Sequence, residues 1–395
     1  MMEKQLIPKL RFPEFKSEFV KFEFSEIAKR GKKSYNPNKD SENLPCIELE
    51  SLTQETGQLI KTFDSINLKS NKTRFSKNEV LFGKLRPYLK KYLLTTFEGV
   101  CTSEIWVFQG KLVSNPFLYY LIQTDKFNFE ANVSSGSKMP RTDWDYLSGI
   151  KFSIPNNSKE QQKIASFLSD VDAKITKLTK KKDLLEKYKK GVMQKIFNQE
   201  LRFKDDNGNE FPAWVEKKMN DFTKINQGLQ IPISERYTEE FDGGYFYITN
   251  EFLKENSPNK YYIKNPSTSV ICKREDILMT RTGNTGMVVT DVEGVFHNNF
   301  FKIDYHNKSC NKVFLVNFLR YKPTQNVIMR LAGTSTIPDL NHSDFYRIKI
   351  ALPCLEEQTK IADFLSDIDL KIEALNIKIE NSKSFKKGLL QQMFV

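Results

Sequence analysis

The twelve residues Gln161–Asp172, QQKIASFLSDVD, return at Gln358–Asp369 as QTKIADFLSDID, 197 positions later and identical at nine of twelve places. The offset then holds without a gap: Lys189-Lys190-Gly191 matches Lys386-Lys387-Gly388, Gln194 matches Gln391 and Phe197 matches Phe394. Self-similarity at a fixed period marks a duplicated unit, so the chain is one unit of about 197 residues written twice. Upstream the copies align loosely, with short insertions. Val80-Leu81 answers Ile277-Leu278, Glu98-Gly99-Val100 answers Glu293-Gly294-Val295, Phe117-Leu118 answers Phe314-Leu315, and 136–155 parallels 333–353. Each copy is therefore a variable globular part followed by a near-repeated tail.

In the first tail apolar residues fall at Ile164, Leu168, Val171, Ile175, Leu178, Leu185, Val192 and Ile196, broken at Lys182 and Lys189. The second runs Ile361, Leu365, Ile368, Ile372, Leu375, Ile379, Leu389 and Met393, broken at Ser382 and Lys386. Alternating steps of four and three are the heptad pattern, so both tails are expected to be helices, each roughly 54 Å long at 1.5 Å per residue. A narrow apolar stripe needs a partner, and the other tail is at hand. Because a whole globular unit separates the tails, the packing that gives near two-fold symmetry is antiparallel. Two independent helices, each docked on its own domain, would also bury the stripes, but sustained heptads exceed what docking needs. The tails differ in charge: Ser158–Phe197 has 11 Lys against 5 acids, and Glu356–Phe394 has 6 against 7. The run Lys180-Lys181-Lys182 reads as a solvated face. Asp170, Asp172, Asp367 and Asp369 recur too, but residues two apart on a helix point to different sides, so they read as surface or capping features.

The globular parts read as α+β. Short β patterns lie at 44–50, 79–85, 88–95 and 99–108, and again at 245–250, 268–272, 276–281, 286–291 and 295–304. A helix follows each set, the first capped by Ser114-Asn115-Pro116 and the second near 312–321. The expected division is 1–157 and 201–354 for the globular domains, with 158–200 and 355–395 for the long helices.

Across the chain 61 Lys+Arg stand against 49 Asp+Glu, a net charge of +12. That balance suits a polyanion, or else a generic basic surface. Five widely spaced cysteines without a C-x-x-C pair argue for reduced thiols in the cytoplasm and against zinc. The opening Met1–Arg11 lacks an export core, and no apolar run approaches a membrane span. Aromatic content of 12% sets the chain apart from disordered proteins. No phosphate-binding G-x-x-x-x-G-K-[ST], N-P-P-Y or D-P-P-Y methyltransferase motif, G-x-S-x-G or H-E-x-x-H occurs, so no catalytic residue and no metal ligand is assigned.

Two loops per unit place donors where an exposed turn presents them. They are 83–88 with Lys84, Arg86 and Tyr88, and 135–141 with Lys138 and Arg141. Their counterparts are 280–286 with Arg281, Thr282 and Asn284, and 333–336 with Thr334 and Ser335. Arginine and lysine suit guanine edges, asparagine suits adenine, and hydroxyls suit phosphates. Singly, each is equally an ordinary polar turn; recurrence in both halves makes the case for DNA contact.

Two variable basic units, each followed by a heptad rod, closely resemble the specificity subunit of type I restriction–modification systems along the whole chain. The phrases QQKIASFLSDVDAKI and EQTKIADFLSDIDLKI, just after Ile154-Pro155 and Leu352-Pro353, carry the resemblance most strongly. The openings Leu10-Arg11-Phe12-Pro13-Glu14-Phe15 and Leu201-Arg202-Phe203 through Glu210-Phe211-Pro212-Ala213-Trp214 fit the family's unit start. The resemblance implies two target recognition domains reading a split double-stranded DNA site, spaced by an antiparallel helix pair. One copy would join two adenine methyltransferase subunits and two restriction subunits, which would hold S-adenosylmethionine, ATP and Mg; none of that chemistry would belong to this chain. Different residues at matching loops imply two different half-sites. A protein-binding coiled-coil scaffold and a self-sufficient DNA-modifying enzyme are the other readings; the missing motifs weigh against the second.

Overall fold

A computed structural model describes residues 7–65, 68–133, 139–254, 259–334 and 336–395. The heptad tails are single helices, a central one at Ser158–Phe197 and a C-terminal one at Leu355–Met393. Each begins just past a proline, Pro155 or Pro353, with glutamate in its first turn, where the positive end of the helix dipole favours a carboxylate.

The chain forms two compact units, 1–180 with 375–395, and 181–374. In the first, Phe19–Glu23 pairs antiparallel with Lys151–Pro155. An antiparallel sheet follows in the order Ala28–Arg30, Ile105–Gly110, Val80–Gly83, Tyr92–Leu94. A second sheet runs Ser34–Tyr35, Lys72–Phe75, Gly99–Cys101, Pro45–Ile47, Phe63–Asp64. The other unit repeats the plan. Val215–Lys218 pairs with Lys349–Leu352, one sheet is ordered Thr223–Gln227, Phe300–Tyr305, Ile277–Thr280, Val288–Val289, and the other Tyr262–Lys264, Gly244–Ile248, Gly294–Phe296, Ile271–Cys272.

Several expected strands change. The patterns 99–108 and 295–304 each break in the middle, at Thr102–Glu104 and His297–Asn299, where Ile105 N–H turns back to Thr102 O (3.0 Å) and Phe300 N–H to His297 O (2.9 Å). The break lets one sequence run serve two different sheets. The stretch 88–95 is a 3₁₀ turn, Pro87–Leu89, before the strand Tyr92–Leu94. The strands at 19–23, 28–30, 215–218 and 223–227 gave no alternation to read. The repeated Gly99 and Gly294 lie where one parallel strand approaches another: a Cβ on either would collide with the carbonyl of Pro45 or of Phe246.

The phenylalanines fill the cores. In the first unit Phe24, Phe82, Phe108, Phe127 and Phe152 pack with Trp106 and Trp144, ring centroids 5.3–6.4 Å apart. Each fully buried ring contributes about 1.5–3 kcal/mol. Ile164, Leu168 and Val171 of the central helix share this core with Leu389 and Met393 of the C-terminal helix and with Phe394 just past its end. In the second unit Val192, Met193 and Ile196 meet Ile361, Leu365 and Ile368.

The helices pair antiparallel. In the first unit Lys386 Nζ bonds Asp172 Oδ1 at 2.8 Å, and in the second Lys189 Nζ bonds Asp369 Oδ1 at 2.6 Å. From Asp172 to Lys189 one helix advances 17 residues while its partner retreats 17, from Lys386 to Asp369. Of the lysines that interrupt the heptads, Lys189 and Lys386 are thus cross-helix partners of Asp369 and Asp172, two of the aspartates that read as surface features, while Lys182 pairs with Glu186 on its own helix. Sequence spacing along one helix could not show this, since each partner lies on the other. The unit openings have a role as well. Arg11 grips Glu160 with Nε and Nη2 at 2.7 and 2.8 Å, and Arg202 grips Glu357 likewise at 2.7 and 2.7 Å. Both carboxylates are fully buried, which a charge tolerates only when paired and bonded.

Candidate nucleic-acid interface

In the first unit the two candidate loops are stitched together, whereas in the second the loop 280–286 is stitched to 338–340, just past the expected 333–336. Thr142 N–H donates to Lys84 O at 2.9 Å and Arg86 N–H to Pro140 O at 2.8 Å, with Leu85 bridging Arg141. In the second unit Leu340 N–H donates to Arg281 O at 2.8 Å, Thr285 Oγ1 donates to Pro338 O at 2.6 Å, and Thr282 bridges Asp339. Loops about 55 residues apart in sequence thus form one ledge per unit.

The first ledge is built on a tight backbone. Arg86 (φ 51°) and Lys90 (φ 48°) both adopt the left-handed conformation around the turn Pro87–Leu89, as does Glu55 (φ 59°), whose N–H donates to Lys90 O at 3.1 Å. Such backbone costs about 1–2 kcal/mol per residue and concentrates at functional places. Arg86 and Tyr88 are exposed. Lys84 is half-buried, its ammonium 6.0 Å from the Trp106 ring centre. Arg141 is exposed and forks onto Glu104, Nε at 3.1 Å and Nη2 at 3.2 Å; this hydrogen bonding, with the carboxylate charge, raises the arginine pKa above its ordinary value.

On the second ledge Arg281 is held closely. Its Nη2 donates to Asp339 Oδ2 at 2.7 Å, its guanidinium carbon stands 5.8 Å from the Phe301 ring centre, and its Nε is buried without an acceptor among the described residues. Thr282 is half-buried and its carbonyl accepts Asn250 Nδ2 at 3.2 Å. Asn284 is exposed between Gly283 (φ 84°) and Gly286 (φ 87°), in a turn closed by Thr280 Oγ1 donating to Asn284 O. Thr334 is exposed after Gly333 (φ 88°). Lys138 and Ser335 lie outside the described residues.

Beside each ledge lies an open hollow, about 420 Å³ in the first unit and about 580 Å³ in the second. They are lined from equivalent places, Lys90, Asn128 and Asn132 against Met287, Gln325 and Met329. Glu104 and Asp339, the carboxylates that hold the ledge arginines, are not among the candidate residues of the sequence. Asp339 was within reach, because the parallel between 136–155 and 333–353 sets it near Arg141. Among the described residues no three His, Cys, Asp or Glu side chains converge as a metal site, and no helix is long and apolar enough to cross a membrane.

The family model for the type I restriction modification DNA specificity domain matches twice, over 16–187 and 213–382. The type I restriction enzyme MjaVIII specificity subunit of Methanocaldococcus jannaschii is 30% identical over 205 residues, 51% of this chain and 47% of its own. The putative MjaX specificity subunit of the same organism is 30% identical over 253 residues, 62% of this chain and 58% of its own. The matched stretches thus span about half the length of these curated relatives. Among solved structures, the type I restriction–modification S subunit from M. genitalium has a TM-score of 0.61 at 15% identity, covering 98% of this chain and 99% of its own. A chain from work on assembly and conformational transition of the type I system has a TM-score of 0.56 at 17% identity, covering 95% and 96%. At these identities the likeness is one of fold: two α+β domains, each followed by a long helix. With each repeat matched separately by the same description, this chain belongs to the type I restriction–modification DNA specificity family.

Proposed function

We propose that this chain is the non-catalytic DNA-recognition subunit of a type I restriction–modification complex in the cytoplasm. Domains 1–157 and 201–354 each read one half of an asymmetric, bipartite double-stranded target, and the helices 158–200 and 355–395 set the spacing between them. A single copy recruits two adenine methyltransferase subunits and two restriction subunits, which supply S-adenosylmethionine, ATP and Mg chemistry.

The observation that carries this reading is the pair of ledges. The same backbone stitching presents different side chains: Lys84, Arg86, Tyr88 and Arg141 on one, Arg281, Thr282 and Asn284 on the other, with Lys138, Thr334 and Ser335 near them in sequence. A common frame with unlike donors suits two unlike half-sites. The excess of lysine and arginine adds phosphate affinity that falls steeply with salt. Adding the purified chain to its matching methyltransferase subunit is expected to create methylation at one split site. Site-independent methylation by that subunit alone would overturn the proposal.

A further inference from the structure

The backbone bridge that joins the two loops sets Arg141 beside Leu85 in the first unit and Asp339 beside Thr282 in the second. These are equivalent places in the repeat, and they carry opposite charges. In the first unit the bridge brings together two cations, Lys84 and Arg141. In the second it brings a carboxylate to Arg281, in an ion pair of 2.7 Å. Only 18% of the Arg281 side chain is exposed, against 50% for Asp339. With the Phe301 ring on one face and a carboxylate at one corner, the guanidinium is restrained before any ligand arrives. Its buried Nε faces inward, so Nη1 and the second Nη2 hydrogen form the available edge.

Resting on the recognition reading, we propose that Arg281 reads a guanine through that edge and that Asp339 is the positioning residue that makes the reading selective. Guanine offers O6 and N7 in the major groove at the spacing of a guanidinium fork. Phosphate oxygens accept the same fork, so a mobile arginine would also settle on the backbone. Asp339 opposes this in two ways: it fixes the plane of the fork, and its own charge repels phosphate. The first unit, with no carboxylate at this place, lacks the device in this form and holds its arginine through Glu104 instead.

The test uses the chain assembled with its methyltransferase subunit. Bound duplexes are selected from a pool randomised in both half-sites, and single-base variants then compete for binding. One position of the second half-site is expected to favour guanine by roughly tenfold to a hundredfold. Arg281→Lys, which keeps the charge and loses the fork, removes that preference. Asp339→Asn weakens it and tightens binding to unrelated duplexes, Asp339→Glu restores most of it, and all three leave the first half-site unchanged. Uniform weakening by Asp339→Asn, with the guanine preference intact, would show a merely structural carboxylate and overturn the inference. A selective wild type whose second-half preferences survive Arg281→Lys overturns it alone, whereas a wild type with no preferred site overturns the recognition reading as well.

Discussion

Lys386→Ala is expected to destabilise the first unit far more than Lys189→Ala destabilises the second, although the two lysines are equivalent in the repeat. Lys386 is 10% exposed and its ammonium reaches Asp172 at 2.8 Å and Gln123 Oε1 at 2.8 Å, over the Tyr120 ring. Tyr120 Oη also donates to Asp172 at 3.0 Å. Burial, then the Asp172 charge, holds that phenol's pKa well above its ordinary value, so the donor persists into alkaline solution. In the second unit the places of Tyr120 and Gln123 are taken by Asn317 and Arg320, and Asp369 is 51% exposed. Breaking a buried pair costs about 3–5 kcal/mol, against about 0–1 for an exposed one. Asp172 keeps the tyrosine and some water, so about 2–3 kcal/mol is expected for Lys386→Ala. Asp369 rehydrates, so about 1 kcal/mol is expected for Lys189→Ala. Urea unfolding followed by tryptophan fluorescence separates the two, because Trp106 and Trp144 report the first unit and Trp214 the second. A double-mutant cycle with Asp172→Asn should return coupling above about 1 kcal/mol. Equal losses in the two units, within about 0.5 kcal/mol, would refute the argument from burial.

Arg202→Ala leaves the buried Glu357, among the described residues, with Trp214 Nε1 and the Phe203 amide as its donors, and is expected to lower second-unit stability by about 3–5 kcal/mol in urea unfolding. Inserting one helical turn near Thr179 is expected to lengthen the spacer between methylated adenines while both half-sites stay the same, as read by mapping methylation on DNA. Burial pushes the Cys46 thiol up to about 11 and those of Cys272 and Cys310 to about 12. At pH 8 a thiol reagent should therefore label Cys354 first, and the other four only on unfolding. Because these pKa values are raised in the folded state, their stabilisation is complete below the ordinary thiol range. It is lost as pH climbs through 11–12, so the urea midpoint should fall only in alkaline solution.

The duplication, both rods and their antiparallel pairing were legible because heptads and a fixed offset are properties of residue spacing alone. The Ser114 cap was legible too: Ser114 Oγ accepts the Phe117 amide at 3.4 Å, and the helix runs Asn115–Leu121. The buried strands Val80–Gly83 and Ile277–Thr280 were legible to within one or two residues of their ends, but Lys72–Phe75 and Val215–Lys218 lay outside every pattern read, because so few of their residues are apolar. The candidate loops were found from their composition, yet composition could not show that Leu85 would meet Arg141, or that Asp339 would hold Arg281. Those are long-range pairings set by the sheets. Nor did the repeated Leu-Arg-Phe opening reveal its use, since its partners, Glu160 and Glu357, lie about 150 residues downstream.

The first unit draws Leu389, Met393 and Phe394 into its core, which has a consequence for synthesis. At about 5–20 residues per second, roughly 10–40 s separate the emergence of Lys180 from that of Leu389, Met393 and Phe394. Throughout that interval Ile164 and Leu168 lack their final cover, while the second unit needs nothing beyond residue 374. The unit whose translation starts first is thus completed after the other, and a stop codon before Leu389 strips cover from the core of the first unit.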